Sequence, residues 1–262
     1  MATGSRGLKC LRDLLFPPKC SACGQLLDWM PEATASTPIR AALCPACHKK
    51  WENERLETCG ICAKPINECS CMPKILQTAK CKGFYKLVYY EAQKVAPVQN
   101  KILYHIKRKR DVHAIRFLST ELATSVEELI QAEELAREDL VITYLPRTHA
   151  ARLEFGTDQA EELARELADV CGLPMVQCIR RRYFFNGKQK RLSYTRRIKN
   201  AEQAFLPSRD VSCKGKTVLL VDDMVTTGAG AARGTKILRR AGAKAVYCFA
   251  IASDIVNKDT LR

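Results

Sequence analysis

No apolar run in these 262 residues approaches the ~18 that a membrane helix requires. The first twenty residues hold only Leu14-Leu15-Phe16 before Pro17-Pro18, too little for the core of a secretory signal. A transmembrane protein and a secreted disulfide scaffold are both excluded on this reading. A cytoplasmic location is expected, where thiols stay reduced. Acidic residues are short: 28 Asp and Glu face 43 Lys and Arg, for a formal net charge of +15. Histidine is scarce too, and the four present lack metal-ligand spacing and a nucleophilic partner, so they are read as surface or basic-patch residues. With 47% hydrophobic and 27% charged residues, the chain is neither a disordered tail nor a collagen-like fibre. At roughly 150 residues per domain, the length suggests one ordinary domain and a smaller module.

Cysteine runs the other way. There are 14, ten of them at or before Cys81. Cys171, Cys178, Cys213 and Cys248 stand singly among apolar neighbours and are expected in the core, where a free thiol behaves as a small hydrophobe. The early ones form four close pairs: Cys20 with Cys23, Cys44 with Cys47, Cys59 with Cys62, and Cys69 with Cys71. Two thiolates separated by two residues can face one tetrahedral ion, so four pairs predict two closed four-sulfur zinc sites, structural and not catalytic. First with second and third with fourth is the favoured pairing; a crossed arrangement also fits. Cys69-Ser70-Cys71 is the weakest pair, and Cys81 or Cys10 can stand in for a member. Large apolar residues are sparse between Ser21 and Lys80, so the metal is expected to replace a core in a zinc-ribbon module over 1–81, followed by a larger domain over 82–262.

Thr217-Val-Leu-Leu-Val-Asp222-Asp223-Met224-Val225-Thr226-Thr227-Gly228-Ala229-Gly230 reads as a buried parallel strand, two carboxylates and a small-residue loop entering a helix. Small side chains let amides and hydroxyls approach a phosphate at the helix N-terminus. Adjacent carboxylates accept hydrogen bonds from a vicinal diol. Strands are predicted at Leu140–Leu145, Met175–Ile179 and Ala245–Ala252, with helices at Asp158–Cys171 and Glu121–Glu138, the latter a solvated acidic face. The alternation predicts an α/β fold with an open, mostly parallel sheet, whose ligand sits at the carboxyl ends of the strands.

This segment resembles the 13-residue signature of type I phosphoribosyltransferases. The resemblance implies that Asp222 and Asp223 hold the ribose hydroxyls of 5-phosphoribosyl-1-pyrophosphate. It places Thr226, Thr227 and Gly228 around the 5′-phosphate, with Met224, Val225 and Ala229 also binding the ligand and Mg²⁺ assisting at the pyrophosphate. Arg147, Arg191 and Arg197 are candidates for a pyrophosphate or basic loop. No side chain is assigned a catalytic role.

No acidic residue occurs from Cys171 to Ala201, a stretch with nine basic residues and interleaved Tyr183, Phe184, Phe185 and Tyr194. Cations for phosphates and rings for bases suit single-stranded nucleic acid. Arg180, Arg181, Arg182, Lys188 and Lys190, with Lys107, Arg108, Lys109 and Arg110, are the expected contacts. A solubilising surface or a pyrophosphate clamp is the other use of such residues.

The cysteine pairs, Tyr104-His105-Ile106-Lys107, Leu145-Pro146-Arg147 and the ribose-phosphate signature together resemble the ComF family of competence proteins over nearly the full length. Gln159, Gln189, Leu192-Ser193, Arg197, Asn200 and Ala204-Phe205 fall where that family has like residues. The resemblance implies a cytoplasmic protein of natural transformation, with 5-phosphoribosyl-1-pyrophosphate, single-stranded DNA and other competence proteins as partners. The chain departs from the family at Phe155-Gly156-Thr157-Asp158-Gln159, where Arg-Gly-Phe-Asn-Gln is usual, and at Tyr144-Leu145-Pro146. Ligand binding is therefore better supported than turnover. An active transferase on an unidentified acceptor, or a zinc-ribbon adaptor with a vestigial ribose site, is the alternative.

Overall fold

The computed structural model describes residues 17, 19–27, 42–90, 97–108, 111–183, 194–209 and 211–254, with backbone alone for 194–197. Lys109, Arg110, Lys188, Gln189, Lys190, Arg191, Leu192, Ser193, Cys10 and the Arg197 side chain lie outside the described residues.

Four parallel strands form the central sheet in the order β1, β6, β5, β2. They are β1 (Gly83–Tyr90), β2 (Leu140–Tyr144), β5 (Thr217–Val225) and β6 (Ala245–Asp254). Both faces are covered, which is why β5 is apolar without alternation. Leu219 and Val221 pack into one layer with Leu118, Leu122, Leu163 and Leu167 from helices α4 (Val112–Ala132) and α6 (Gln159–Cys171). Val218 and Leu220 face the other layer, with Leu76 of α2 (Lys74–Thr78) and Ile237 and Leu238 of α8 (Ala229–Arg240). Asp111 starts α4 by accepting the amides of His113 and Ala114, both at 3.1 Å. A Cβ at Gly234 of α8 would lie 2.9 Å from both Leu145 Cδ2 and Leu220 Cδ2, so glycine is what lets this helix lie flat on the sheet.

Several expectations shift. Met175–Ile179 is not a strand: Met175 makes a single bridge to Ile142, and the Cys178 amide is then taken by Thr143 Oγ1 at 3.1 Å in place of a ladder partner. The chain pairs again as β3 (Ile179–Arg181), antiparallel to β4 (Phe205–Pro207), in a separate two-stranded sheet. The sequence reading assigns no strand to β1. The basic stretch around Tyr104 to Lys107 ends a helix, α3 (Val98–Arg108). The acidic helix begins earlier and is not wholly solvated, because Glu121 accepts Trp51 Nε1 at 3.3 Å and pairs with Arg55.

The cysteine-rich segment is not coreless. Trp51 of α1 (Pro45–Arg55) is 1% exposed and meets the Phe117 ring edge-on at 5.6 Å. Cys20, Leu43 and Trp51 belong to the same apolar layer as Leu87, Ile102 and Leu118, so the segment shares its core with the residues that follow it. Cys171, Cys178, Cys213 and Cys248 are buried, as expected.

Candidate ribose-phosphate site and cysteine metal centres

Asp222 and Asp223 sit near the carboxyl end of β5, an inner strand, and the chain turns directly into α8. Gly228 makes that turn: it is the N-cap of α8 at φ 76°, a left-handed conformation that favours glycine. α8 is a 12-residue helix whose first amides are not satisfied within the helix. Thr227 Oγ1 accepts the Ala229 amide at 3.4 Å. The loop opens into a cleft of about 1180 Å³ that also takes in Lys107, Arg147 and Arg181.

Two cations meet Asp223, and a third lines the same cleft. Lys107 Nζ lies 3.3 Å and Arg147 Nη2 3.4 Å from Asp223 Oδ2. Burial opposes ionisation of Asp223, but Lys107 and then Arg147 outweigh it and hold the carboxyl below its ordinary value. Asp222 moves the opposite way, pushed well up by burial and by the charge of Asp223. Arg181 stacks over Phe205 at 4.9 Å and donates through Nη1 to the Pro146 carbonyl at 3.3 Å. Its Nε and Nη2, and Arg147 Nη1, are buried with no hydrogen-bond partner. Burial lowers the Arg181 pKa, with Asp222 and Asp158 acting against it. Donors left this way at a cleft point to an acceptor that the protein itself does not supply.

Lys107 and Arg181, expected on a nucleic-acid surface, thus line the cleft. Strand geometry separates the three arginines: Arg181 faces inward, Arg180 Nε turns to the Pro207 carbonyl at 3.1 Å, and Arg182 is exposed. Arg108 remains outside, over the rings of Tyr104 and Phe155 at 5.8 and 5.3 Å. Asp158, a departure from the ComF pattern, has a role the sequence did not suggest. It is buried at the start of α6 and accepts the Arg147 amide at 2.7 Å, fixing the loop that carries that arginine. Burial raises its carboxyl, against the Arg147 amide and Arg152.

The eight paired cysteines fall into two groups, Cys20, Cys23, Cys44 and Cys47, and Cys59, Cys62, Cys69 and Cys71, with the sulfurs of each group within 4.8 Å of one another. This is the sequential pairing. Four sulfurs at the ~2.3 Å zinc–sulfur distance are about 3.8 Å apart around a tetrahedron. Cys23 and Cys44 Sγ are 3.8 Å apart, so the donor set fits a tetrahedral ion. The two knuckles repeat one another: the Cys20 amide bonds the Gln25 carbonyl and the Cys59 amide the Lys64 carbonyl, both at 2.8 Å. Each site has one acidic thiol. Burial pushes Cys20 up, but the amides of Cys23, Cys44 and Ala22 bring it down to about 7. For Cys59 the Tyr89 hydroxyl and the amides of Cys62 and Ile61 overcome burial, giving about 6. Cys81 is outside both groups, its sulfur 3.4 Å from Cys248 Sγ.

Residues 156–259 match the phosphoribosyl transferase domain family, so the chain carries a phosphoribosyltransferase domain. It is similar to the ribose-phosphate pyrophosphokinase of Methanopyrus kandleri, 31% identical over 117 residues, 44% of this chain and 31% of that protein. To the protein of the same name from Thermococcus kodakarensis it is 37% identical over 88 residues, 34% and 26% of the two chains. The chain thus spans less than a third of the length of these curated relatives. Among solved structures, the purine phosphoribosyltransferase of Pyrococcus horikoshii Ot3 aligns with TM-score 0.30 and 15% identity, over 52% of this chain and 73% of that one. Adenine phosphoribosyltransferase of Leishmania tarentolae aligns with 0.31 and 14%, over 66% and 82%.

Proposed function

We propose that the cleft binds 5-phosphoribosyl-1-pyrophosphate with Mg²⁺, in a ComF-type competence protein that also holds single-stranded DNA. The observation that carries the reading is the set of groups at one cleft: the α8 N-terminus to donate to a phosphate, Asp222 and Asp223 to accept from a diol, and the unpartnered nitrogens of Arg147 and Arg181 to donate to a second anion. That ligand has these three groups in one molecule. Mg²⁺ would rest mainly on the ligand's oxygens and waters and offset their charge. The two cysteine groups are read as structural zinc sites, since thiolate sets of four favour that ion.

The test separates the two anion ends. Arg147→Ala and Arg181→Ala are expected to weaken 5-phosphoribosyl-1-pyrophosphate binding by roughly tenfold or more, a charge-assisted bond being worth about 1.5–3 kcal/mol. Ribose 5-phosphate, which has no pyrophosphate, should lose clearly less in these variants, least in Arg181→Ala, because Arg147 also pairs with Asp223. Equal losses for both ligands by calorimetry refute the assignment.

The DNA reading rests on Arg108, Arg180 and Arg182, which remain outside the cleft, and on the acid-free stretch from Cys171 to Ala201. Affinity for an oligothymidylate should fall with salt at a log–log slope of about −0.7 per phosphate neutralised. Salt-independent binding contradicts it. A transferase reading is favoured by the cleft itself, whose 1180 Å³ leaves room for an acceptor beside the first ligand. Pyrophosphate release in the presence of candidate bases decides it.

A further inference from the structure

The two cysteine sites are not equivalent in what they touch. Cys20 to Cys47 meet the helical layer, where Ser21 Oγ donates to Asp111 Oδ2 at 2.6 Å and Trp51 packs on Phe117. Cys69 and Cys71 instead lead straight into the ribose-phosphate site. Two residues beyond Cys71, Pro73 begins the corner into α2, and this corner lies against the phosphate loop. A Cβ at Gly228 would be 3.2 Å from Ile75 Cγ2 and 3.3 Å from Pro73 Cβ and Cγ. The corner therefore sits so close to the glycine that sets the start of α8 that even a methyl group between them would be tight.

The other end of the Cys69–Cys71 turn is fixed to the sheet. Lys86 of β1 is 1% exposed, and its ammonium donates to the Cys69 carbonyl at 2.8 Å, the Cys71 carbonyl at 3.2 Å and Cys69 Sγ at 3.3 Å. Tyr89, also on β1, donates its hydroxyl to Cys59 Sγ at 3.2 Å. A buried ammonium is tolerated only beside compensating acceptors. Four thiolates around one divalent ion carry a net negative charge, which supplies that compensation. The path from sheet to sulfurs to Pro73 and Ile75 to Gly228 is continuous.

We propose that metal occupancy of the Cys59, Cys62, Cys69 and Cys71 site controls how tightly the phosphate loop binds its ligand, with Pro73 and Ile75 as the positioning residues that transmit it. The proposal rests on the phosphate-loop reading above. With the ion bound, Cys69 and Cys71 are fixed against Cys59 and Cys62, and the corner holds Gly228 in the left-handed turn that aims the α8 amides. Without it, the Cys69–Cys71 turn keeps its bonds to Lys86 but loses its tie to Cys59 and Cys62, and the chain through Met72 into Pro73 is held less firmly. Linkage makes the coupling reciprocal: the phosphate ligand raises metal affinity at this site by the factor by which the metal raises ligand affinity.

The test uses the full zinc-loaded chain with ribose 5-phosphate as the probe. Cys71→Ser should lose about one zinc per chain and bind the probe about tenfold more weakly, within the usual range of coupling. Ile75→Ala retains all eight paired cysteines. It should keep the wild-type zinc content and a cooperative melt, lowered only modestly, yet bind the probe several-fold more weakly. Its amides at Thr227–Ala229 should exchange hydrogen faster. In equilibrium competition with a chelator, saturating ribose 5-phosphate should tighten retention of one of the two ions in wild type. Wild-type affinity in Ile75→Ala with zinc unchanged overturns the proposal, even if Cys71→Ser fails to fold. So does zinc retention that is indifferent to the probe. If wild type binds no ribose 5-phosphate, the phosphate-loop reading itself falls and the coupling falls with it; binding without coupling leaves that reading standing.

Discussion

Burial and the charge of Asp223 push the Asp222 carboxyl up, whereas Lys107 and Arg147 keep Asp223 down despite its burial. The raised member costs stability with a definite pH dependence. Below the ordinary value of 3.8 both folded and unfolded chains carry the proton, and no penalty exists. As pH rises, the unfolded chain ionises first, and stability is lost until the folded carboxyl also titrates. Asp222→Asn removes this loss, because the amide oxygen can still accept the Asp223 N–H. The variant should melt higher than wild type at pH 7, by about 2–4 °C per kcal/mol relieved, with the advantage fading toward about pH 4. Melting curves at the two pH values check this; no gain at pH 7 contradicts it. Such a gain would fit a carboxylate retained for the proposed ligand and not for stability.

Elements matter here mainly through how closely α8 lies on the sheet. Gly234→Ala would normally gain about 1 kcal/mol from helix propensity. Its Cβ would instead meet Leu145 and Leu220 at 2.9 Å and Ile179 Cδ1 at 3.1 Å. Overpacking of about 1–3 kcal/mol should win, giving a net loss of stability in a denaturant titration. A variant as stable as wild type shows that the interface can give. The β5–loop–α8 unit was legible from sequence because all its signals are local: an apolar run, two carboxylates, small residues, then helical spacing. Cysteine pairing was legible for the same reason. β1 was not, because Lys86 interrupts its apolar pattern and its burial depends on carbonyls of Cys69 and Cys71, distant in sequence. The inward turn of Arg181 follows from β3 pairing with β4, and Lys107 reaches Asp223 only once α3 packs against β1 and its neighbouring helices. Neither meeting leaves a trace in residue order. Asp158 stood out only as a departure from a pattern, and its bond to the Arg147 amide gives that departure a use.

For the molecule as a whole, the formal charge of +15 is divided. Lys107, Arg147 and Arg181 are turned inward, where burial makes their partners matter, while Arg108, Arg180 and Arg182 remain on the outside. The cysteine-rich segment shares an apolar layer with the phosphoribosyltransferase domain and touches the loop that enters α8, so cysteine groups, core and cleft form one connected body. Among the described residues no helix is long and apolar enough to cross a membrane. The central claim is that this body presents a site for 5-phosphoribosyl-1-pyrophosphate. Mg²⁺-dependent thermal stabilisation by that compound tests it most directly, measured on wild type and on the double variant Asp222→Asn with Asp223→Asn. The account predicts a rise in melting temperature with ligand concentration in wild type and none in the double variant. Equal stabilisation of the two, or none in wild type, would contradict it.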